Sequence, residues 1–390
     1  MRIGSWARLM IAAALGSGFL TGCGNFWQAP STTTTTTCTT NCSTATSGAF
    51  YILNNGTTPQ VVGEKIVSGT LTSITGSPWP MPSAPYAMDI APNGNFLVVS
   101  TIAGVYSYPL TNGVLGTGVQ ITQDQAYAVQ IDATDSWLIE AIPTTGGVTF
   151  SAVSVNPSTG AYTGHAIPIT FSNANAALQQ GRMVISPDNS YIFCALGMGG
   201  AIVVPFNSSS PFPSTVSAKT IPVATAGGAA LSVAVDPSTT PRLFYVGETL
   251  GNSAGTSGGL RAFTYASLAT STLVNATGSP IASGGLAPSF ILPVSSPSYV
   301  YVANGVGNIA GFAVTASGST YSLSAGSTTS ISATPVGMAL DSSGTFLLSV
   351  SSGGTPYFSP FTFDSTTTGT LDAQNTANTG ASAIAIVAAP

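Results

Sequence analysis

The stretch YAMDIAPNGNFLVVS, residues 86–100, reads as two short apolar strands joined by a turn: the first closes at Pro92, Asn93-Gly94 is a turn-forming pair, and Phe96 opens the second. The unit recurs. Its first segment returns as YAVQIDA (127–133), RMVISPD (182–188), LSVAVDP (231–237), SFILPV (289–294), VGMALDS (336–342) and SAIAIVAAP (382–390). Its second returns as WLIEA from Trp137, YIFCA from Tyr191, LFYVG from Leu243, YVYVA from Tyr299 and FLLSV from Phe346. Seven units spaced by roughly 41 to 58 residues mark a repeat architecture. The seventh unit lacks its second strand after Pro390, and a matching strand, FYIL, stands at residues 50–53. A ring closed by pairing the two chain ends explains that offset and removes the free sheet edge.

Third strands follow at Gly104, Val148, Ala201, Leu260, Ile309 and Tyr357, and shorter fourth strands such as GVQIT and TIPVA complete each unit. No stretch after Cys23 holds a helical period, so the expectation is all-β: a seven-bladed β-propeller of four-stranded antiparallel blades, one blade closed by the N- and C-terminal strands. Within the first strands, one parity is large and apolar (Met88 and Ile90, Val129 and Ile131, Met338 and Leu340) and is expected between blades. The other parity is small or polar (Ala87 and Asp89, Ala128 and Gln130, Ser232 and Ala234) and is expected toward a narrow axis. Asp89, Gln130 and Arg182 are then the polar groups placed to reach the central channel.

Residues 1–22 read as an export signal, with Arg2 and Arg8 before an apolar run at 9–20 that is too short to span a bilayer. The run ends in Leu20-Thr21-Gly22-Cys23, which resembles the lipobox of bacterial lipoproteins. That resemblance implies lipidation of Cys23 and a membrane anchor, and Gly24 after it implies the outer membrane. Residues 23–47 are expected to form a Thr/Ser-rich flexible tether, since a polar tract has nothing to bury against its ordering entropy. Cys38 and Cys42, four apart in an oxidising compartment, can close a disulfide, and Cys194 within YIFCA is expected as a buried thiol. The propeller takes residues 48–390.

Only 5% of the chain is charged. Loss of the signal leaves five basic residues against twelve acidic ones, a net charge of −7, which excludes nucleic acid as a partner because no phosphate neutralisation is available. No calcium loop, P-loop or zinc spacing is present, so neither a metal nor a cofactor is implied. Two G-x-S-x-G matches at 251–259 lie in a glycine-rich loop and lack the strand-to-helix setting of a nucleophile elbow. Asp132, Asp188, Asp236 and Asp341 follow their first strands and are read as turn formers whose carboxylates bond backbone amides.

The seven-unit pattern, with its aromatic second strands, resembles the bacterial β-propeller lactonase family related to 6-phosphogluconolactonase. The likeness covers nearly all of the mature chain. That family often carries a Pro-Arg-His step entering an innermost strand. Here the steps read Pro85-Tyr86-Ala87, Ala126-Tyr127-Ala128 and Pro335-Val336-Gly337. Opening a lactone needs a base and an oxyanion holder. Asp89 with Arg182 forms the candidate catalytic pair, and Tyr86, Tyr127 and Gln130 are the candidate ligand-binding residues; His165, the only histidine, falls on an outermost strand.

Two functions compete. One is a monomeric, lipid-anchored scaffold in the cell envelope that presents loops at 143–147, 207–216 and 248–259, uncharged apart from Glu248, to a neutral glycan or an envelope protein. The other is a sugar-lactone hydrolase at the channel mouth, and a phosphorylated substrate would need more basic residues than Arg182. A quinone-binding redox propeller lacks the charges such a cofactor requires.

Overall fold

The computed structural model describes residues 38 and 42–390, apart from 214–216, 237–241, 253, 266–273, 296–297, 318–319 and 368. The expected export signal and the expected lipidation site, Cys23, lie outside the described residues. Among those described, every regular element except for turns is a β-strand, and the strands form seven antiparallel sheets, each ordered from first strand to fourth. The protein is a seven-bladed β-propeller.

Blades 1 to 6 begin with Pro85–Ile90, Ala128–Ile131, Met183–Ile185, Ala230–Asp236, Pro288–Val294 and Thr334–Leu340. Blade 7 is built from both ends of the chain. Its innermost strand, Ala383–Ala388, pairs antiparallel with Phe50–Asn54, whose other edge pairs with Gln60–Val67. The seven innermost strands adjoin one another in ring order, the last beside the first. Closure by the termini is therefore as the split repeat requires.

The core is not one mass but seven buried clusters, one at each interface between neighbouring blades. Each sheet thus buries both faces. This explains why second strands such as FLVVST, buried at every residue, read as continuous apolar runs rather than alternating ones. It also corrects the expected role of parity in the first strands. Met88 packs against blade 7 and Ala87 against blade 2, so both parities face neighbouring blades and neither points down the axis.

The turns that leave the first strands follow the aspartate reading. Asp132 Oδ1 accepts from the backbone N–H groups of Ser136 and Trp137, and Asp341 Oδ1 accepts from that of Phe346. Blade 3 differs, because its equivalent residue is Ser186. The Ser186 hydroxyl accepts from the N–H groups of Ser190 and Tyr191, while Asp188 sits two residues further on. At the far side of blade 1, Asn112 and Gly113 take φ of 52° and 80°, the left-handed pair that a two-residue hairpin needs.

The end of the expected tether is not free. Cys38 and Cys42 are joined in a disulfide. The Cys38 and Ser43 amides donate to Asn375 Oδ1 (2.6 Å) and Gln374 Oε1 (2.8 Å) on blade 6, and Ser47 exchanges hydrogen bonds with Ile66 of blade 7. A polar tract orders here because its backbone groups find partners at the blade rim. Cys194 is a buried thiol, as its apolar surroundings suggested.

Ile52, fully buried between blades 6 and 7 on the closing pair, tests the ring. Ile52→Ala is expected to lower unfolding free energy by about 2–5 kcal/mol in urea titration. Fluorescence and circular dichroism should report one shared transition, since blade 7 cannot open without exposing both neighbours.

Candidate functional site

The innermost strand of each blade has one unpaired edge, and it faces the channel. Asp132 N donates to Trp137 O across the sheet, so the N–H of Ile131, one residue earlier, points out of the ladder toward that edge. Asp89 Oδ2 of blade 1 accepts from it at 2.7 Å. In the same way Gln130 Oε1 of blade 2 accepts from Ile185 N of blade 3 at 2.7 Å. Ser232 and Ser289 continue the pattern by donating to the carbonyls of Pro288 and Pro335 on the blades that follow them. Each is a lateral tie between consecutive blades.

The mouth is made by a different device. In blades 1, 4, 5, 6 and 7 the pairing of the innermost strand slips by one residue near its start, leaving Tyr86, Leu231, Ser289, Val336 and Ile384 as bulged residues. Tyr127 of blade 2 matches them, since its N–H shares Ala141 with Ala128. A bulge re-aims one side chain out of the sheet. All six line one cavity of about 390 Å³. In blade 3 the equivalent residue is Gly181, at φ 65°, and Arg182 beside it supplies the side chain. Leu178, Gln179, Gln180, Ser352 and Ala383 complete the wall.

The structure therefore brings Tyr86, Tyr127 and Arg182 together. The two tyrosine rings lie 4.7 Å apart, tilted by 44°. Arg182 Nη2 donates to Val336 O across the ring at 2.6 Å, Nη1 contacts Gly181 O at 3.3 Å, and the guanidinium lies 5.0 Å over the Phe290 ring. Burial lowers its pKa to about 10, which leaves it charged at neutral pH. Among the described residues lining the cavity there is no carboxylate and no histidine.

Asp89 and Gln130 are not among the cavity's lining residues, and no ion pair or hydrogen bond joins Asp89 to Arg182. His165 is exposed on the outer strand Tyr162–His165, with Nδ1 3.0 Å from the Tyr162 hydroxyl. Arg261, by contrast, forms a buried ion pair with Glu248 at 2.8 Å. Sequence reading missed Leu231, Ser289, Val336 and Ile384. Their shared position in the repeat was the available signal: proline precedes the bulged residue in blades 1, 5 and 6 (Pro85, Pro288 and Pro335).

Two carboxyls near this face are displaced by burial, which penalises their charged forms. Asp89 is pushed up to about 7. Glu140, fully buried and accepting from Thr122 Oγ1 at 2.7 Å, is pushed up to about 8. Unfolded, both ionise near pH 4. Between those limits the folded chain holds protons that the unfolded chain has lost, so stability is full below about pH 4 and falls as pH rises to about 8. The urea midpoint is expected to decline across that window, and an Asp89→Asn, Glu140→Gln double variant should flatten the decline.

No protein-family model matches the chain, and no curated protein matches it in sequence. Solved structures do. The fold is similar to that of a Bacteroides fragilis protein provisionally named as a 6-phosphogluconolactonase, at TM-score 0.65 and 14% identity over 87% of this chain and 97% of that one. A Bacteroides uniformis protein of the same provisional name gives TM-score 0.63 and 17% identity over 87% and 99%. A functionally unknown protein from Desulfotomaculum acetoxidans gives 0.65 and 13% over 87% and 98%. At these identities the likeness is one of fold.

Proposed function

We propose that this chain is a lipid-anchored envelope propeller that binds the end of a glycan at its channel mouth. The observation that carries the reading is the composition of that mouth. Seven strands converge on a cavity of ligand size, walled by a tyrosine pair, apolar side chains, two glutamine amides and one guanidinium. Aromatic faces take the C–H faces of sugar rings, and amides and phenols serve hydroxyls. The mouth carries binding groups without a base.

Lactone hydrolysis is the second reading, favoured by Arg182 as an oxyanion holder and by the lactonase names of two fold neighbours. It needs a group to activate water within hydrogen-bond reach of the substrate. The candidate is Asp89, whose carboxylate is engaged with Ile131 N and which does not line the cavity. A phosphorylated lactone brings a dianion to a cavity with one cation.

Two measurements separate the readings. Calorimetric titration of the full chain with a panel of oligosaccharides is expected to find a ligand whose affinity drops about tenfold or more in Tyr127→Ala, the loss of roughly 1.4 kcal/mol of contact. Hydrolysis of neutral and phosphorylated sugar lactones is expected at equal background rates in the native chain and in an Arg182→Ala, Asp89→Asn variant. Turnover present in the first and absent from the second would establish the hydrolase instead.

A further inference from the structure

We propose that the ligand at the channel mouth carries a carboxylate, which Arg182 pairs with, so that the glycans recognised are acidic ones built from uronate residues. The inference deepens the glycan-binding reading and rests on it.

The argument comes from comparing two arginines in the same molecule. Arg261 lies 4.7 Å over the ring of Phe263, donates to the carbonyl of Pro222 at 2.7 Å and meets Glu248 at 2.8 Å. Arg182 lies 5.0 Å over the ring of Phe290 and donates to the carbonyls of Val336 at 2.6 Å and Gly181 at 3.3 Å. Both guanidiniums are thus held by an aromatic face and by backbone carbonyl oxygen, which fix their planes. They differ in the charged partner. Arg261 has a carboxylate, whereas Arg182 has none among the described residues and lines a cavity instead.

Neutral acceptors satisfy only some of the five donors of a guanidinium, and they do not balance its charge. A partly desolvated cation without a counter-charge is costly, and the remedy is an anion in reach of its free N–H groups. At Arg261 the protein supplies that anion. At Arg182 the geometry assigns it to the ligand.

The charge count sets the class. Among the described residues lining the cavity Arg182 alone is charged, so a monoanion is matched and a phosphate dianion is left half neutralised. The rest of the wall suits a sugar body: Tyr86 and Tyr127 for the ring faces, and Gln179 and Gln180 for hydroxyls. A carboxylate on a pyranose ring joins the two demands in one residue.

The test is calorimetric titration of the full chain in detergent with three probes: trigalacturonate, its methyl ester and inorganic phosphate. The ester keeps the sugar and removes the charge. Trigalacturonate is expected to bind roughly tenfold or more tighter than the ester, the scale of a hydrogen bond to a charged group. Arg182→Gln should bring the acid down to the level of the ester, and a urea unfolding transition measured beside it shows that the variant is folded. Arg182→Lys should retain part of the difference, and added salt should weaken the acid alone.

Equal affinities for acid and ester, both indifferent to Arg182→Gln but lost in Tyr127→Ala, would overturn the carboxylate and keep the glycan site. Absence of binding by either sugar would sink both. Phosphate that binds as tightly as trigalacturonate and depends on Arg182 would replace the carboxylate class with a phosphate one.

Discussion

The pairing of Ala383–Ala388 with Phe50–Asn54 is the contact on which the rest depends. Each blade is a sheet with two apolar faces, and neither face has a use except against a neighbour. In an open row of six and a half blades, two faces and a sheet edge would meet water. Joining the ends turns every exposed face into an interface and leaves only the channel edge of each innermost strand to be dealt with. The cost of failure is large because the buried residues on the closing strand, Phe50, Tyr51, Ile52 and Leu53, serve the cores of both adjoining interfaces.

The channel edge is handled by two means, and the division between them places the site. Deeper in the strands, side chains of one blade tie the unpaired backbone groups of the next: Asp89 to Ile131 and Gln130 to Ile185. At the mouth, bulges turn side chains away from the ladder and into a shared cavity. Asp89 and Gln130 are ties that do not line the cavity, whereas Ser289, at a bulge, both lines it and donates to Pro335 O on the next blade.

The chain enters its first strand from the other side. Innermost strands run from the mouth to the face that carries the aspartate turns. The chain joins blade 7 at that second face, where a Cβ on Gly48 would meet Ser342 of such a turn. Hydrogen bonds from Cys38, Ser43 and Ser47 to blades 6 and 7 hold the residues before the first strand against the propeller. The acids Asp135, Asp188 and Asp364 belong to turns on the face opposite the mouth, while Arg182 lies at the mouth.

The all-β class, the seven units, the split blade, the Cys38–Cys42 pairing and the outer position of His165 were legible from the chain alone. They follow from local period, turn chemistry and repetition, which are properties of neighbouring residues. Tyr86, Tyr127 and Arg182 were legible as mouth candidates for the same reason, since each starts a first strand. What Asp89 and Gln130 bond to, and which way the two parities face, required the folded ring. Both faces of each strand meet another blade, and no local pattern says which neighbour a side chain will reach. The bulges were equally hidden, because a one-residue slip is defined only against the partner strand. Repetition in the chain determined the architecture; the register between strands and the approach of seven blades to one axis decided the site.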